Sequence, residues 1–183
     1  MEDAFYTPPK RIIICYSRSQ FAYEEIKNLS SVPVTFIHGL DPELKTLPNT
    51  LLIIDDLQEH SDLISEWFTK NSHHYETDVI YLTQNLFLKT PSHRTASLNA
   101  HILVIFKNIR DKSQIMCLAR QVSPENTEFI MSAYRQATKK PHTYLLLNLK
   151  QQTKDHLRIR DSFFAKESNY YLDKKTFTQF QIS

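Results

Sequence analysis

Glycine is almost absent from this sequence of 183 residues, in which Gly39 is the only one. An average composition of ~7% would give roughly 13 glycines in a chain of this length. The phosphate-binding motifs G-x-G-x-x-G and G-x-x-x-x-G-K-[ST] each need at least two glycines, and so does the nucleophile elbow G-x-S-x-G. The sequence therefore contains none of these motifs and has no glycine-rich loop with which to hold a nucleotide.

Cysteines and long apolar runs are scarce as well. Cys15 and Cys117 match no metal-binding or redox spacing, and each lies in an apolar stretch, which predicts buried, reduced thiols. This usage favours the cytoplasm or nucleus over secretion. The first residues do not resemble a signal peptide, and no apolar stretch approaches the ~20 residues that span a bilayer. We expect an intracellular protein that is not secreted and has no membrane as a partner.

The composition that remains is typical of a globular protein, with 41% hydrophobic and 23% charged residues. The length suggests one domain, because a domain usually contains ~150 residues. Charge is unevenly spread: residues 1–134 carry 12 basic and 16 acidic side chains, and residues 135–183 carry ten basic and four acidic. A basic end of this kind can bind nucleic acid through its phosphates, or it can simply be a solvated surface.

Short apolar runs alternate with amphipathic segments along the chain. The predicted strands are 11–16, 34–37, 51–56, 79–84, 102–106 and 144–147. The predicted helices are 19–29, 58–70, 111–122 and 123–138, the first with Phe21, Ala22, Ile26 and Leu29 as its apolar face. Asp111 and Ser123 stand where helix N-caps are expected. Continuous apolar strands separated by helices predict an α/β fold with a mainly parallel sheet and crossover helices.

Two predicted strands end in polar residues that could carry chemistry. The third strand ends in Asp55 and Asp56, and the fourth ends in Gln84. In open α/β sheets, ligands bind at the carboxyl ends of the strands. An aliphatic strand that ends in two acids has the form of a Walker B motif, in which the first acid serves Mg²⁺ and the second orients the attacking water. The alternative is that the acids cap the next helix and that Gln84 bonds to a loop.

Two further motifs predict little chemistry. His73 and His74 are adjacent, which is not a metal-ligand spacing, so we expect surface histidines. Glu43 and Lys45 have the E-x-K form of a nuclease site, but they lie between Pro42 and Pro48 in a predicted loop. A small nuclease therefore remains only a remote alternative.

Six blocks of sequence resemble one known group of proteins: Ile53–Leu57, Phe68–His74, Val79–Phe87, Arg94–His101, Phe106–Asp111 and Leu118–Gln121. Together they are similar to the genome-packaging ATPases of the FtsK–HerA superfamily, in the branch of large DNA viruses and Polinton or adintovirus-like elements. The resemblance covers roughly residues 8–164 and leaves residues 165–183 as a polar tail.

The resemblance implies a RecA-like P-loop NTPase core, a ring-shaped homo-oligomer, and translocation of double-stranded DNA driven by ATP with Mg²⁺. It implies that Asp55 is the Mg²⁺-side Walker B acid, Asp56 the water-activating acid and Gln84 the sensor. Arg94 and Arg110 would be charge-stabilising arginines, either of which could be the arginine finger.

The sequence departs from the family in two respects. The Walker A loop would lie upstream of Pro8, so the chain is expected to be an N-terminally truncated copy that lacks the first strand and the phosphate loop. Tyr75 stands where an arginine is expected after the paired histidines. We therefore expect no ATP turnover by the isolated chain, with Ile53 and Ile54 beside an unpaired strand edge. The alternative is a non-catalytic DNA-binding or oligomerising scaffold.

Overall fold

The structure, a computed structural model, describes residues 8–85, 90–163 and 168–173. It divides the chain into two units, residues 1–100 (unit 1) and residues 101–183 (unit 2). Within the described ranges, each unit has its own sheet, and no helix is long and apolar enough to cross a membrane.

Unit 1 is built on a parallel sheet with the strand order β2-β1-β3-β4. Its strands are β1 (Arg11–Tyr16), β2 (Val34–His38), β3 (Thr50–Asp55) and β4 (Thr77–Leu82). All pairs are parallel, as the continuous apolar runs predict. The α/β class is therefore confirmed for this unit.

The strand that carries the paired acids lies inside the sheet. Ile54 of β3 pairs with Cys15 on one side and with Tyr81 on the other. The expectation that Ile53 and Ile54 lie beside an unpaired edge is therefore wrong, because β1 and β4 occupy the two sides of β3. In the described part of the chain, the edges of this sheet are β2 and β4.

One face of the unit 1 sheet is covered by a helical layer. This layer comprises α2 (Ser61–Glu66), a π-helical turn (Trp67–Asn71), α3 (Ser72–His74) and α4 (Pro91–Asn99). The core beneath it consists of buried side chains from strands, loops and helices: Cys15, Leu40, Leu52, Ile54, Leu57, Ile64, Trp67 and Ala96. Helix α4 begins at Pro91, and the Thr90 side chain accepts a hydrogen bond from the His93 amide at 3.3 Å.

The first helix does not pack as its sequence predicts. Helix α1 (Ala22–Leu29) leaves Phe21 and Leu29 each 85% exposed. The residue that it buries is Tyr23, whose ring centroid lies 5.3 Å from that of Tyr16 and 5.5 Å from that of Phe36. The predicted apolar face of α1 is therefore wrong, because the helix packs through Tyr23 while Phe21 and Leu29 stay exposed.

Unit 2 contains an antiparallel sheet with the order β5-β6-β7 in the described residues. Its strands are β5 (Ile102–Phe106), β6 (Tyr144–Asn148) and β7 (Ile159–Arg160), and its helices are α5 (Lys112–Val122) and α6 (Thr127–Ala137). The parallel prediction is wrong here, because β5 and β6 run in opposite directions. An apolar run indicates burial, but it does not indicate the direction of its partner.

The helix caps of unit 2 fulfil one prediction and correct another. Asp111 caps α5 by accepting the Ser113 amide hydrogen at 3.1 Å. Ser123 does not cap α6; a 3₁₀ turn (Pro124–Asn126) intervenes, and the Asn126 side chain accepts the Phe129 amide at 3.3 Å. The side chains of Asp111 and Asn126 thus accept hydrogen bonds from backbone amides that have no partner within the first turn of each helix.

The two cysteines lie in different environments. Cys15 is fully buried in the core of unit 1, and burial raises the pKa of its thiol to about 11. Cys117 is exposed on α5, so the prediction that it is buried is wrong. An exposed position on an amphipathic helix tolerates a thiol as readily as the core does.

The predicted polar tail, residues 165–183, falls largely outside the described residues. The part that is described, residues 168–173, runs beside β7. The Tyr171 amide donates to the Ile159 carbonyl at 2.9 Å, and Tyr170 forms a bridge with Arg160.

Candidate functional site at the carboxyl edge of the unit 1 sheet

The carboxyl ends of β3 and β4 bring three of the predicted site residues to one edge. Asp55 is the last residue of β3 and pairs with Leu82, the last residue of β4. Asp56 follows directly, and Gln84 lies two residues beyond Leu82. Because ligands of open parallel sheets bind at this edge, we take it as the candidate site.

Asp55 is held from the α1 side of the sheet. Asp55 is 9% exposed, and its Oδ2 accepts the Tyr23 hydroxyl hydrogen at 2.5 Å and a hydrogen from the Gln20 side-chain Nε2 at 2.9 Å. Burial, followed by the hydrogen bond to Asp55, raises the pKa of Tyr23 far above its ordinary value. The phenol of Tyr23 therefore keeps its proton and donates it to Asp55, which fixes the orientation of the carboxylate.

Asp56 has an unusual backbone conformation, with a φ of 52°. Its amide donates to the Leu82 carbonyl at 3.2 Å, which ties the end of β3 to the end of β4. Its Oδ1 accepts a hydrogen from the Gln58 side-chain Nε2 at 3.1 Å. Aspartate tolerates the left-handed region better than most residues, and Asn49, Glu76 and His142 adopt it elsewhere in the described chain.

Gln84 is exposed just beyond β4. The neighbouring hydroxyl of Thr83 donates to the Asn85 carbonyl at 3.1 Å and accepts the Asn85 amide at 3.2 Å. This local turn presents the Gln84 side chain to solvent above the sheet edge. The adjoining residues 86–89 lie outside the described part of the chain.

The described residues do not form a metal site of their own. No group of three or more His, Cys, Asp or Glu side chains is arranged to hold a metal in the described ranges. Mg²⁺ requires an octahedral set of oxygen ligands, whereas Oδ2 of Asp55 already accepts two hydrogen bonds. We therefore derive no step through Mg²⁺ held by this chain alone.

The two candidate arginines lie in different units. Arg94 is exposed on α4 of unit 1, and Arg110 is exposed on the loop between β5 and α5 of unit 2. The Arg110 amide donates to the Asn108 side chain at 3.0 Å, and the Asn108 amide donates to the Tyr134 hydroxyl at 2.8 Å. These hydrogen bonds therefore fix the backbone of the loop that carries Arg110.

The remaining candidates lie outside the site. His73 and His74 are exposed, as predicted for surface histidines. Glu43 and Lys45 lie in a loop rather than on a strand, which is not the setting that a nuclease E-x-K motif requires.

Sequence reasoning missed the residues that organise the site. Gln20 and Tyr23 hold Asp55, and Tyr81 and His93 form a buried polar pair beneath β4, with ring centroids 5.7 Å apart. One signal was present: Tyr23 stands three residues before Ile26, which places it at the border of the predicted apolar face of α1. The pairing of Tyr81 with His93 joins distant segments and leaves no local pattern.

Comparison with known proteins identifies no relative. No family model matches the chain, and neither a curated protein nor a solved structure matches it.

Proposed function

We propose that this chain is the Walker B and sensor portion of a DNA-packaging ATPase, and that it does not hydrolyse ATP by itself. The observation that carries the proposal is the placement of Asp55, Asp56 and Gln84 on adjacent parallel strands at one sheet edge. Paired acids beside a polar sensor residue are what phosphoryl transfer to water requires. The family resemblance supplies the reaction, which is DNA translocation driven by ATP.

Each side chain has a role that suits its surroundings. Asp56 is partly exposed and would orient the attacking water, and Gln84 would contact the γ-phosphate. Asp55 is held by Tyr23 and would serve the metal side once a bound nucleotide supplied the other ligands. Arg94 and Arg110 would neutralise developing charge, one of them from a neighbouring subunit of a ring.

Nucleotide binding in this proposal needs a phosphate loop from outside these 183 residues. The lysine and backbone amides of a P loop cradle the β- and γ-phosphates, and the single glycine, Gly39, excludes such a motif here. We therefore propose that ATP and Mg²⁺ bind stably only when the chain is joined to, or assembled with, a P-loop segment.

The experiment is to compare ATP hydrolysis by the 183-residue chain with that of the same chain extended at its amino end by a P-loop segment that carries G-x-x-x-x-G-K-[ST]. We expect no hydrolysis by the short chain and magnesium-dependent hydrolysis by the extended one. Asp56→Asn should lower the extended chain's rate by at least about 100-fold, as loss of a catalytic base does. Glu66→Gln removes an exposed carboxylate on α2 and is the matched control. Hydrolysis by the short chain that Asp56→Asn abolishes would overturn the proposal, as would an inactive extended chain.

The charge of unit 2 favours a second candidate function, a DNA-binding or oligomerising scaffold. Unit 1 carries eight basic and 13 acidic side chains, a net charge of −5, whereas unit 2 carries 14 basic and seven acidic, a net charge of +7. Lys139, Lys140 and Lys154 are exposed in unit 2. Such a surface attracts double-stranded DNA without regard to sequence.

Two arginines of unit 2 are engaged in contacts within the unit or are buried. Arg158 donates to Asp155 Oδ1 at 2.9 Å and to the Lys150 carbonyl at 2.9 Å. Arg160 is buried in β7. The exposed lysines therefore contribute more to this surface than Arg158 and Arg160 do.

The scaffold is tested by titrating a DNA duplex at two salt concentrations. We expect affinity to fall steeply with salt, and the double variant Lys139→Glu/Lys140→Glu to reduce the slope of log K against log salt by about two. The double variant Lys27→Glu/Lys45→Glu, at two exposed sites of unit 1, makes the same change in net charge and is the control. Binding that does not respond to salt would contradict this function.

A further inference from the structure

Three polar atoms are buried beneath β4 without hydrogen-bond partners in the described part of the chain. They are the Tyr81 hydroxyl and both ring nitrogens of His93. His93 is only 2% exposed, and its ring packs edge-on against that of Tyr81, with centroids 5.7 Å apart. The Thr83 hydroxyl is close enough to Tyr81 to offset part of the effect of burial on its pKa, but the hydrogen bonds of good geometry that Thr83 makes go to Asn85. The three atoms therefore belong to two side chains that pack against each other between β4 and α4.

Such a cluster is costly unless something satisfies it. Buried polar groups in folded proteins are hydrogen-bonded with few exceptions, and internal water provides the partner where side chains do not. A neutral imidazole offers one donor and one acceptor, and a phenol can do either. One or two water molecules between Tyr81 and His93 could satisfy all three atoms.

The cluster joins α4 to the rest of unit 1. His93 lies in the first turn of α4, and Tyr81 lies near the end of β4. The Ser92 hydroxyl also donates to Asp62 on α2. The charged groups on the surrounding elements are Asp56 and Glu59 ahead of α2, Asp62 and Glu66 on α2, Lys70 on the π-helical turn, Asp78 on β4 and Arg94 on α4.

None of these charged groups bonds to the His93 ring in the described structure. The pKa of His93 is lowered, and burial is the cause. Asp56 and Glu59 act instead on Tyr81, where they add to the effect of burial in raising its pKa. A proton added to His93 would therefore be a buried charge with no carboxylate bonded to it.

We propose that Tyr81 and His93 form a proton-operated latch between β4 and α4. While the His93 imidazole is neutral, internal water bridges the two side chains and α4 stays packed on β4. Protonation of the imidazole releases α4. Water can bridge the neutral pair, but a buried imidazolium would lack a counter-charge and is better solvated outside. Because Arg94 follows His93 directly, release of α4 displaces that arginine as well. The latch would operate whether or not the chain is part of an ATPase.

The direction of the pH dependence follows from proton linkage. Released His93 binds a proton near the ordinary histidine value of about 6.5, whereas packed His93 resists it. The packed state therefore loses stability as the pH falls below about 6.5. Between about pH 7.5 and 5.5, one such histidine raises the opening equilibrium by about tenfold.

Amide hydrogen exchange of the whole chain at about pH 7.5 and 5.5 tests the latch, with intrinsic rates corrected. We expect the α4 amides to lose about tenfold in protection at the lower pH relative to those of α6, which lies in unit 2. His93→Gln should abolish this difference. His156→Gln, an exposed histidine of unit 2, should leave it unchanged.

Tyr81→Phe tests the water bridge separately. If water joins the two side chains, loss of the hydroxyl should lower α4 protection at neutral pH. An increase in protection would mean that the site is dry, and it would overturn the proposal. Equal protection of the wild-type α4 amides at the two pH values would also overturn the proposal. A pH response of α4 that is unchanged in His93→Gln would do the same.

Discussion

Tyr23 donates its hydroxyl hydrogen to Asp55 Oδ2 at 2.5 Å, from a helix on one face of the sheet to the end of a central strand. Both side chains are nearly buried. The bond therefore anchors α1 and orients the first acid of the candidate site, so that one interaction serves both packing and the geometry of the site.

Removing the Tyr23 hydroxyl should destabilise unit 1. Hydrogen bonds to charged groups contribute ~1.5–3 kcal/mol, and Gln20 remains as a second donor to Asp55. We therefore expect Tyr23→Phe to lower the free energy of unfolding by about 1–2 kcal/mol in urea titrations. Tyr16→Phe is the matched control, because no hydrogen bond of the Tyr16 hydroxyl is present among the described residues. Equal effects of the two variants would show that the bond contributes nothing specific.

Alkaline pH should weaken the fold through the same pair. The pKa of Tyr23 is raised in the folded state, so the folded chain holds a proton that the unfolded chain releases above about pH 10. The stabilisation is complete below that pH and is lost as the pH rises further. Urea midpoints measured between about pH 9 and 11 should fall more steeply for wild type than for Tyr23→Phe. Parallel slopes would contradict this prediction.

The two thiols should differ sharply in reactivity. Cys15 is buried with a pKa of about 11, and Cys117 is exposed. Because the thiolate is the reactive form, a thiol reagent at about pH 8 should modify one cysteine rapidly in the native protein and both in denaturant. Cys117→Ser should abolish the fast phase, whereas Cys15→Ser should leave it. Two fast thiols in the native wild-type chain would mean that the unit 1 core is open.

The edge of β4 should promote self-association. Ile80 and Leu82 are 37% and 47% exposed on this strand, which has an unpaired edge among the described residues. Apolar edges recruit other chains, and an added lysine blocks them. We expect Ile80→Lys to weaken self-association by about tenfold in sedimentation experiments, equivalent to ~1.4 kcal/mol. Leu29→Lys, on exposed α1, should have little effect. A stronger response to Leu29→Lys would place the contact on α1 instead.

Much of the secondary structure was predictable from local pattern. The runs around Ile13, Ile53 and Ile80 are short and apolar, and each forms a strand of the parallel sheet. Asp111 caps a helix as its sequence position indicates. These features depend on side chains and backbone within a few residues, so the chain itself carries the information.

The direction of strand pairing and the contacts of the site were not predictable in this way. The pairing of β5 with β6, the burial of Tyr23 rather than Phe21, and the meeting of Tyr81 with His93 all join distant segments. In each case several partners were compatible with the local sequence, and packing selected one.

By itself, the sequence determined where strands and helices form, that no glycine-rich phosphate loop is present, and that Asp55 and Asp56 end an apolar strand. Only the tertiary structure decided which strands are neighbours, that β3 is paired on both sides, and that Tyr23 holds Asp55. The reason is physical: apolar burial is a property of single residues and does not specify a partner. Hydrogen bonds and strand pairs are directional, and they depend on groups that meet only after the chain has folded.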